Sequence, residues 1–504
     1  MSFHEDRLRT LAPETLRGMH RGIEKESLRV RSDGALSQAP HPPALGSPLT
    51  HPHITTDFSE AQLELITGVH GSVEACLQEL TWIHQFVYCH IGDEILWCAS
   101  MPCNLPADNQ IPIGRYGTSN VGRAKTVYRL GLALRYGRRM QAISGIHYNW
   151  SLPGVTDAQY FALIRNFRRH SWLPIYLFGA SPAAFSSFVE GRKHELVELS
   201  PGTMYAPHAT SLRMGPLGYQ SDAQSALRVS SNDLKSYAAS LDDALTKPYP
   251  PYAKAGIRDN DNYRQLSTSL LQIENEFYGT IRPKRRINSG ERALHALRER
   301  GVEYVEVRLM DLDPFCPIGI WPATCRFLDL FLLHCLLADS PPDTPQEIAA
   351  IRRNQQRVAL RGREPGLKLQ RDSDELELVQ WGGQILSECA PIAEALDQAH
   401  GGSAHRDALA AALEALRTSD NVPSAKVLQA MAREHRNSFV RFALAESTLH
   451  KASLKGLELP REAIERFTGL ADWSLERQRE IEAADKVPFE PWRQKYLSHD
   501  TLVV

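Results

Sequence analysis

Residues 21–30 read RGIEKESLRV, and this segment decides the fold class because acidic side chains occupy alternate positions in it. Side chains at i and i+2 of a β-strand point to the same face, so Glu24 and Glu26 project together. Two like charges held side by side cost energy unless a cation joins them. The segment therefore predicts a strand with one face in the core and the other face in a chemical site.

Further segments show the same alternation of apolar and polar positions, and each predicts another strand of this kind. ITTDFSEAQLELIT (54–67) adds Asp57, Glu60 and Glu64. The spacing from 57 to 64 is odd, so a bulge near Phe58 or a short helical turn is required. The other polar faces hold His147 and Asn149 in ISGIHYNWS (143–151), Gln272, Glu274, Glu276 and Tyr278 in LLQIENEFYG (270–279), and Tyr304, Glu306 and Arg308 in EYVEVRL (303–309).

The order of the predicted elements favours an α+β fold. The strands are separated by irregular lengths without a regular βαβ alternation, which favours a largely antiparallel sheet. Residues 73–96 and 121–140 have helical periodicity. The segment DSPPDTP (339–345) is the best candidate boundary. We therefore expect a catalytic α+β body over 1–338 and a mainly helical region over 346–504, which packs on the body within one structural unit.

Composition and charge exclude several classes of function. The 504 residues contain 57 Lys and Arg against 59 Asp and Glu, so the formal charge of -2 supplies no field for nucleic acid or an anionic membrane. The amino terminus, MSFHEDRLRT, lacks the basic and apolar regions of a secretory signal, and the longest apolar stretch, 327–338, is too short to cross a bilayer. The eight cysteines form no C-x-x-C pair, so we expect reduced, buried thiols and a cytoplasmic protein.

The predicted carboxylates indicate a metal site. Clustered carboxylates with one histidine and no thiolate form a hard, oxygen-rich site, suited to Mg²⁺ or Mn²⁺ and, through them, to nucleotide phosphates. Neither G-x-x-x-x-G-K-[ST] nor a strand-linked G-x-G-x-x-G is present, so ATP phosphates must be held by metals and cationic side chains. The natural candidates for these cationic contacts are Arg282, Lys284, Arg285 and Arg286.

Simpler interpretations of the same residues stay open at this point. A solvated sheet face with salt bridges also explains the carboxylates, and an exposed turn also explains the basic run 282–286. A metal-dependent phosphohydrolase and a non-catalytic homologue would share the acidic cluster. Tyr128, Leu132 and Arg135 share one face of a helix, as they would in an ordinary amphipathic helix.

Eight long motifs, which follow one another in the same order, resemble those of the proteobacterial glutamate-cysteine ligase family. The similarity runs from about residue 18 to the segment EIEAADKVPFEPW (480–492). The motifs are RGIEKESLRV (21–30), ALGSPLTHPHITTDFSEAQLELIT (44–67), YGTSNVGRAKTVYRLGL (116–132), QAISGIHYNWSLP (141–153), PIYLFGASPA (174–183), ATSLRMGPLGY (209–219), LQIENEFYGTIRPKR (271–285) and EYVEVRLMDLDPF (303–315).

The resemblance implies a glutamine-synthetase-like architecture, in which the antiparallel sheet forms the active-site cleft and helices surround it. It implies an ATP-dependent carbon–nitrogen ligase that uses Mg²⁺, with Mn²⁺ as an alternative. The implied reaction joins the γ-carboxylate of L-glutamate to the amine of L-cysteine through γ-glutamyl phosphate, as the first step of glutathione biosynthesis. Glutathione is the implied feedback inhibitor, and the chain is expected to act as a monomer.

The resemblance also implies roles for individual residues. Arg308 and Tyr278 are the catalytic candidates, with Arg308 stabilising transition-state charge. A sister ligase that joins glutamate to another amine is the nearest alternative, and the family-like contexts of Arg213, Tyr219 and Tyr278 argue against it. The implied metal ligands are Glu24, Glu26, Asp57, Glu64, His147 and Glu306, and the implied substrate contacts are Tyr128, Leu132, Gln141, Ile143, Arg213, Tyr219 and Tyr278.

Overall fold

The structure is a computed structural model, which describes residues 3, 5–218, 223, 227–288 and 290–503. The strands in these residues are β1 His20–Val30, β2 Ile54–Thr56, β3 Gln62–Ile66, β4 Ile95–Leu96, β5 Ile146–Ser151, β6 Ala183–Phe185, β7 Val197–Ser200, β8 Thr203–Tyr205, β9 Arg258–Asp259, β10 Asn262–Tyr263, β11 Ile281–Lys284, β12 Tyr304–Met310, β13 Lys368–Arg371 and β14 Asp374–Glu377.

Helices make up most of the remaining regular structure. They are α1 Glu5–Arg9, α2 Pro13–Arg17, α3 Val73–His90, α4 Asn120–Tyr136, α5 Arg138–Gln141, α6 Asp157–His170, α7 Trp172–Phe178, α8 Ser186–Val189, α9 Leu234–Thr246, α10 Pro250–Ala255, α11 Ala293–Arg300, α12 Pro322–Leu337, α13 Pro345–Arg361, α14 Leu378–Glu388, α15 Ala390–His400, α16 Ala404–Arg417, α17 Pro423–Glu434, α18 Phe439–Gly456, α19 Arg461–Ala484 and α20 Phe489–Tyr496.

A seven-stranded sheet forms the centre of the molecule, with the order β11-β12-β5-β1-β3-β2 and with β4 paired to the end of β1. Every pairing in this sheet is antiparallel. The register places Glu24 opposite His147 across β1 and β5, and Glu26 opposite Glu64 across β1 and β3. The expected antiparallel sheet is confirmed, and its pairing brings polar residues from distant segments together on one face.

The strand predicted over residues 271–278 is wrong. A short 3-10 helix begins at Glu274 and ends at Glu276 instead, so the polar residues of this segment do not share a pleated face. Glu274 accepts hydrogen bonds from the Arg292 guanidinium at 2.9 and 3.0 Å. Glu276 accepts one from Arg135 at 2.8 Å. The buried carboxylates of this segment are therefore paired with arginines, and ion pairing, not sheet alternation, explains the pattern.

A hairpin turn between β2 and β3 accounts for the odd spacing of the acidic residues from 57 to 64. The backbone N–H of Asp57 donates to the carbonyl of Gln62 at 3.0 Å, which closes this turn. Neither of the expected alternatives, a bulge or a helical turn, is therefore needed. The carboxylate of Glu60 accepts the backbone N–H groups of His41 and Arg115 at 2.9 and 2.7 Å, so this residue anchors loops.

The two long helices predicted from periodicity are present as α3 and α4, with α5 completing the second, but α3 ends at His90, and Ile95–Leu96, predicted as helical, form β4 instead. The side chain of Ser119 caps α4 by accepting the N–H of Gly122 at 3.2 Å, which satisfies one of the free donors of the first turn. Gly137 ends α4 with φ of 80°, a conformation that glycine adopts at little cost. α4 consequently stops where α5 begins, at a defined break.

One continuous cluster of buried apolar side chains joins the sheet to helices on both sides of residues 339–345. Val307 of β12, Phe331 of α12 and Leu396 of α15 belong to it, and each is 0% exposed. Full burial of such a side chain stabilises the fold by about 1.5–3 kcal/mol. The two regions share apolar packing, and the division at 339–345 stays a prediction.

The cysteines of the chain are all free. Seven are buried, as expected, while Cys89 is exposed. Burial raises the pKa of Cys76 to about 11, so this thiol stays protonated at neutral pH. In the part of the chain that the structure describes, no helix combines the length and the apolarity needed to cross a membrane.

Candidate active site

A cavity of about 860 Å³ opens on the polar face of the central sheet, between the sheet and helices α4 and α13. It collects most of the residues that the sequence singled out. The predicted residues that line it are Glu24, Glu26, Asp57, Glu64, Tyr128, Leu132, Gln141, His147, Arg213, Tyr278, Arg282, Lys284, Glu306 and Arg308.

An acidic cluster surrounds the imidazole of His147 at the floor of this cavity. Glu24 Oε2 lies 3.0 Å from His147 Nδ1, and Glu306 Oε1 lies 3.8 Å from the same nitrogen. Glu26 Oε1 lies 3.7 Å from His147 Nε2. One ligand atom each from Glu24, His147 and Glu306 lie within 4.8 Å of one another. Adjacent antiparallel strands therefore bring these donors within the span of one metal ion.

Glu306 and Glu24 are the two carboxylates of this cluster whose pKa is lowered. Burial opposes the ionisation of Glu306, but Arg308 Nη1 at 2.9 Å and Lys284 Nζ at 3.2 Å hold its pKa well below the ordinary range. Burial also opposes the ionisation of Glu24, whose pKa is nevertheless lowered by its hydrogen bond to His147. Both carboxylates are therefore charged at neutral pH.

Glu26 and Glu64 experience the opposite balance. Burial and the nearby carboxylate of Asp57 raise the pKa of Glu26 to about 8. Burial and the charge of Glu24, with smaller effects of Asp57 and Glu26, raise the pKa of Glu64 well above its ordinary value. These two side chains hold negative charge only at a cost, which a divalent cation between the carboxylates would remove.

The donor set fits Mg²⁺ or Mn²⁺. It consists of carboxylate oxygens and one imidazole without a thiolate, which is a hard set suited to these ions. Burial and the charge of Arg308 lower the pKa of His147, so its ring is neutral and has a lone pair to offer. The residues present are consistent with the metal role that the resemblance implies for them.

Cationic side chains line the wall next to this acidic cluster. Arg282 and Lys284 stand at i and i+2 of β11 and face the cavity together. Burial and the neighbouring Arg308 lower the pKa of Arg282 to about 10, which leaves it charged at neutral pH. Burial opposes the charge of Arg308, yet Glu306 raises its pKa above the ordinary value. Positive charge is thus concentrated on one side of the cavity.

The prediction of Arg285 as a phosphate contact is wrong, because this residue does not line the cavity. Its Nη1 donates to the carbonyl of Arg300, and its Nε lies 3.7 Å from the carboxylate of Glu303. Successive residues of an extended segment point to opposite sides, so Arg285 cannot join Lys284 on the cavity face.

Four predicted substrate contacts form a small pocket beside the acidic cluster. Tyr128 and Leu132 of α4 line the cavity together with Gln141 and Tyr278. Gln141 Nε2 donates to the Tyr278 hydroxyl at 2.7 Å. Burial raises the pKa of Tyr278, so its phenol remains neutral. The pocket therefore combines an apolar wall with a fixed hydroxyl group.

One further predicted contact, Ile143, does not join this pocket in the structure. Ile143 is 0% exposed and does not line the cavity; its side chain packs in the core, and its carbonyl accepts from Gln62 Nε2 at 2.9 Å. Ile143 packs behind the residues that line the cavity, because the segment leading into β5 directs its side chain into the hydrophobic core. Tyr219 lies outside the described residues, so its predicted contact is not placed.

Arg213 reaches the cavity from behind β12. Its Nη2 donates to the carbonyl of Arg308 at 2.8 Å, and its Nη1 lies 3.9 Å from Asp311 Oδ1. The guanidinium passes so close to Gly145 that a Cβ there would lie 2.0 Å from its Nη2. A glycine at 145 is therefore required for this arginine to take its position.

Sequence reasoning missed several residues that line the cavity. Lys125 and Arg129 also line the cavity from α4. Their position three residues before and one residue after Tyr128, a predicted substrate contact, was a sequence signal that could have identified them. Burial and the charge of Arg129 lower the pKa of Lys125 to about 8. Arg352 and Tyr496 come from α13 and α20, and only the tertiary structure brings such distant segments to the cavity.

The family model for glutamate-cysteine ligase matches residues 8–358. The glutamate–cysteine ligase of Pseudomonas fluorescens strain Pf0-1 is 48% identical over 493 residues, which cover 94% of this chain and 92% of the relative. The glutamate–cysteine ligase of Alcanivorax borkumensis is 45% identical and covers 97% of both chains. The resemblance seen in the motifs is confirmed.

Two solved structures share the fold. A glutamate–cysteine ligase from Francisella tularensis, crystallised with AMP, superimposes with a TM-score of 0.91 at 35% identity and covers 95% of this chain and 97% of its own. A bifunctional glutathione synthetase from Pasteurella multocida has a TM-score of 0.71 at 24% identity, with 93% of this chain and 57% of its own covered. The expected α+β fold is confirmed, and the chain belongs to the glutamate-cysteine ligase family.

Proposed function

We propose that this protein joins the γ-carboxylate of L-glutamate to the amine of L-cysteine at the expense of ATP and forms γ-glutamylcysteine, ADP and phosphate. This reaction is the first step of glutathione biosynthesis. The observation that carries the proposal is the acidic cluster around His147, which stands between a cationic wall and a small apolar pocket in a member of this family. The AMP present in the Francisella tularensis relative supports an adenine nucleotide as the second substrate.

The proposed roles of the acidic residues follow from their charge. When bound, Mg²⁺, or Mn²⁺ in its place, neutralises the phosphate charge that develops during in-line transfer. The ligands proposed to hold it are Glu24, Glu26, Asp57, Glu64, His147 and Glu306. The raised pKa values of Glu26 and Glu64 support this assignment, because a bound cation offsets both the burial and the repulsion between carboxylates that raise them.

The cationic residues act on the transferred phosphoryl group. A carboxylate is a poor acylating agent, so the γ-carboxylate of glutamate first attacks the γ-phosphorus of ATP and becomes an acyl phosphate, which the amine then displaces. Arg282 and Lys284 bind phosphate oxygens, and Arg308 stabilises the charge of the transition state. No protein nucleophile is needed, and no cysteine appears among the described residues that line the cavity.

The pocket beside the cluster is proposed to hold the acceptor amino acid. Tyr128 and Leu132 supply a small wall for a thiol-bearing side chain, and Tyr278, fixed by Gln141, contributes its hydroxyl. Arg213 is proposed to attract a substrate carboxylate. Glutathione as feedback inhibitor, a monomeric state and a cytoplasmic location stay predictions of the resemblance.

The test is ADP release measured with each amino acid omitted in turn, together with mass detection of the product. We expect sustained ADP release only with both glutamate and cysteine, in equal amounts to γ-glutamylcysteine. Release at the same rate without either amino acid would identify a phosphohydrolase. Release with glutamate and a different amine, but not with cysteine, would identify a sister ligase.

A further inference from the structure

A second cluster of metal-binding side chains lies outside the cleft, where α6, α12 and α14 meet. A ring nitrogen of His170, a ring nitrogen of His334 and Sγ of Cys335 lie within 4.8 Å of one another. These residues are 4%, 1% and 0% exposed, respectively. None of them lines the active-site cavity, and the proposed reaction uses none of them.

Two ring nitrogens in this cluster are buried without a hydrogen-bond partner. They are Nδ1 of His170 and Nδ1 of His334. Nearly all buried polar groups in folded proteins are hydrogen-bonded, so a pair of unpartnered nitrogens in one cluster requires an explanation. A metal ion can bind the lone pair of a buried neutral imidazole, and the ring does not have to take up a second proton.

A carboxylate already supports one of these rings. Nε2 of His334 lies 2.7 Å from Oε2 of Glu388. A carboxylate can only accept, so this contact places the proton of a neutral ring on Nε2 and leaves the lone pair on Nδ1. Metal-bound histidines commonly donate their other nitrogen to a carboxylate in this way, which fixes the ring and raises its basicity.

The charge state of the cluster also suits a cation. Burial, the neighbouring His334 and the charge of Arg169 hold the pKa of His170 well below its ordinary value, so its ring is neutral. Burial raises the pKa of Cys335, so a metal ion that binds there releases the thiol proton. The resulting thiolate and the Glu388 carboxylate balance the charge of a divalent cation.

We propose that His170, His334 and Cys335 bind Zn²⁺ or a similar borderline transition-metal cation, with Glu388 positioning His334. Two nitrogens and one sulfur are a zinc-type donor set and a poor one for Mg²⁺. Donor atoms of a tetrahedral zinc site stand roughly 3.4–3.8 Å apart, so the cluster, whose ligand atoms lie within 4.8 Å of one another, contracts by at most about 1.4 Å on binding. The Glu388 side chain is 37% exposed and marks the route from solvent.

The test uses Co²⁺ as the probe and the full-length chain freed of metal by a chelator. Excess Mg²⁺ keeps Co²⁺ out of the carboxylate cleft. We expect about one equivalent of Co²⁺ to produce a thiolate-to-cobalt charge-transfer band, which Zn²⁺ then abolishes. Cys335→Ser loses the band, whereas Cys325→Ser, a buried thiol of the same helix outside the cluster, keeps it. Glu388→Gln weakens Co²⁺ binding by about tenfold.

Two results would overturn the proposal. They are no band in the unmodified chain and a band that persists in Cys335→Ser. Circular dichroism of the metal-free variants checks their folding. If Cys335→Ser does not fold, His170→Gln decides, because unchanged Co²⁺ affinity in that variant contradicts the site.

Discussion

Glu26→Gln is expected to stabilise the metal-free protein while it abolishes most activity. Glu26 is 3% exposed, and burial together with Asp57 raises its pKa from 4.5 to about 8. A raised carboxyl pKa means that the unfolded state ionises before the folded state, so folding stability is lost as pH rises above 4.5. Glutamine cannot ionise, and the variant avoids this loss.

The magnitude follows from the two pKa values. A pH of 7 lies 2.5 units above the pKa of 4.5 of the carboxyl in the unfolded chain, and each unit is worth 1.36 kcal/mol. The free energy of unfolding of the variant is therefore higher by about 3 kcal/mol. At or below pH 4.5 both states bind the proton, and the difference falls towards zero. With saturating Mg²⁺ the unmodified chain becomes more stable than the variant, because it binds the cation more tightly than the variant does.

Urea unfolding followed by tryptophan fluorescence, with a chelator and then with Mg²⁺, measures this difference between pH 4.5 and 7. Glu306→Gln is the matched control, since Arg308 and Lys284 hold the pKa of Glu306 low. Removing its charge leaves two cations without their partner and destabilises the fold by about 3–5 kcal/mol. The reasoning is refuted if metal-free Glu26→Gln is less stable than the unmodified chain at pH 7, or if the difference does not change with pH.

The remaining predictions concern substrates. Arg213→Ala should raise KM for the amino acid whose carboxylate it binds by roughly 10- to 100-fold, since a charge-assisted contact is worth about 1.5–3 kcal/mol, and an equal rise for ATP would indicate a structural arginine. Arg282→Ala should raise KM for ATP at least tenfold, whereas Arg285→Ala should leave it within about twofold because Arg285 lies outside the cavity. 2-Aminobutyrate should replace cysteine with a loss in kcat/KM of about 10- to 200-fold, because small differences in an apolar pocket are worth only about 1–3 kcal/mol, and complete rejection would contradict the pocket assignment.

The alternation of apolar and polar residues correctly predicted the faces of those strands that are paired on both sides within the sheet. β1 and β5 are interior strands of the sheet, and their predicted faces agree with the structure. The same alternation failed over 271–278, where Glu274 and Glu276 are charged partners of Arg292 and Arg135. Alternation reports one apolar and one polar side, and it does not distinguish a pleated strand from an irregular segment held by buried ion pairs.

The sequence by itself determined the family, the antiparallel sheet and most of the residues that line the cavity, because pleating and motif order are properties of short segments. Only the tertiary structure decided which carboxylates carry charge. Glu26 and Glu306 are both buried acidic residues on strands, yet the pKa of one is raised and that of the other is lowered. Arg308 shares a face with Glu306 on the same strand, as the spacing predicts, but the pairing of β11 with β12 brings Lys284 beside Glu306, and the fold brings the carboxylate of Asp57 near Glu26. Electrostatic energy depends on these distances, which sequence spacing does not contain.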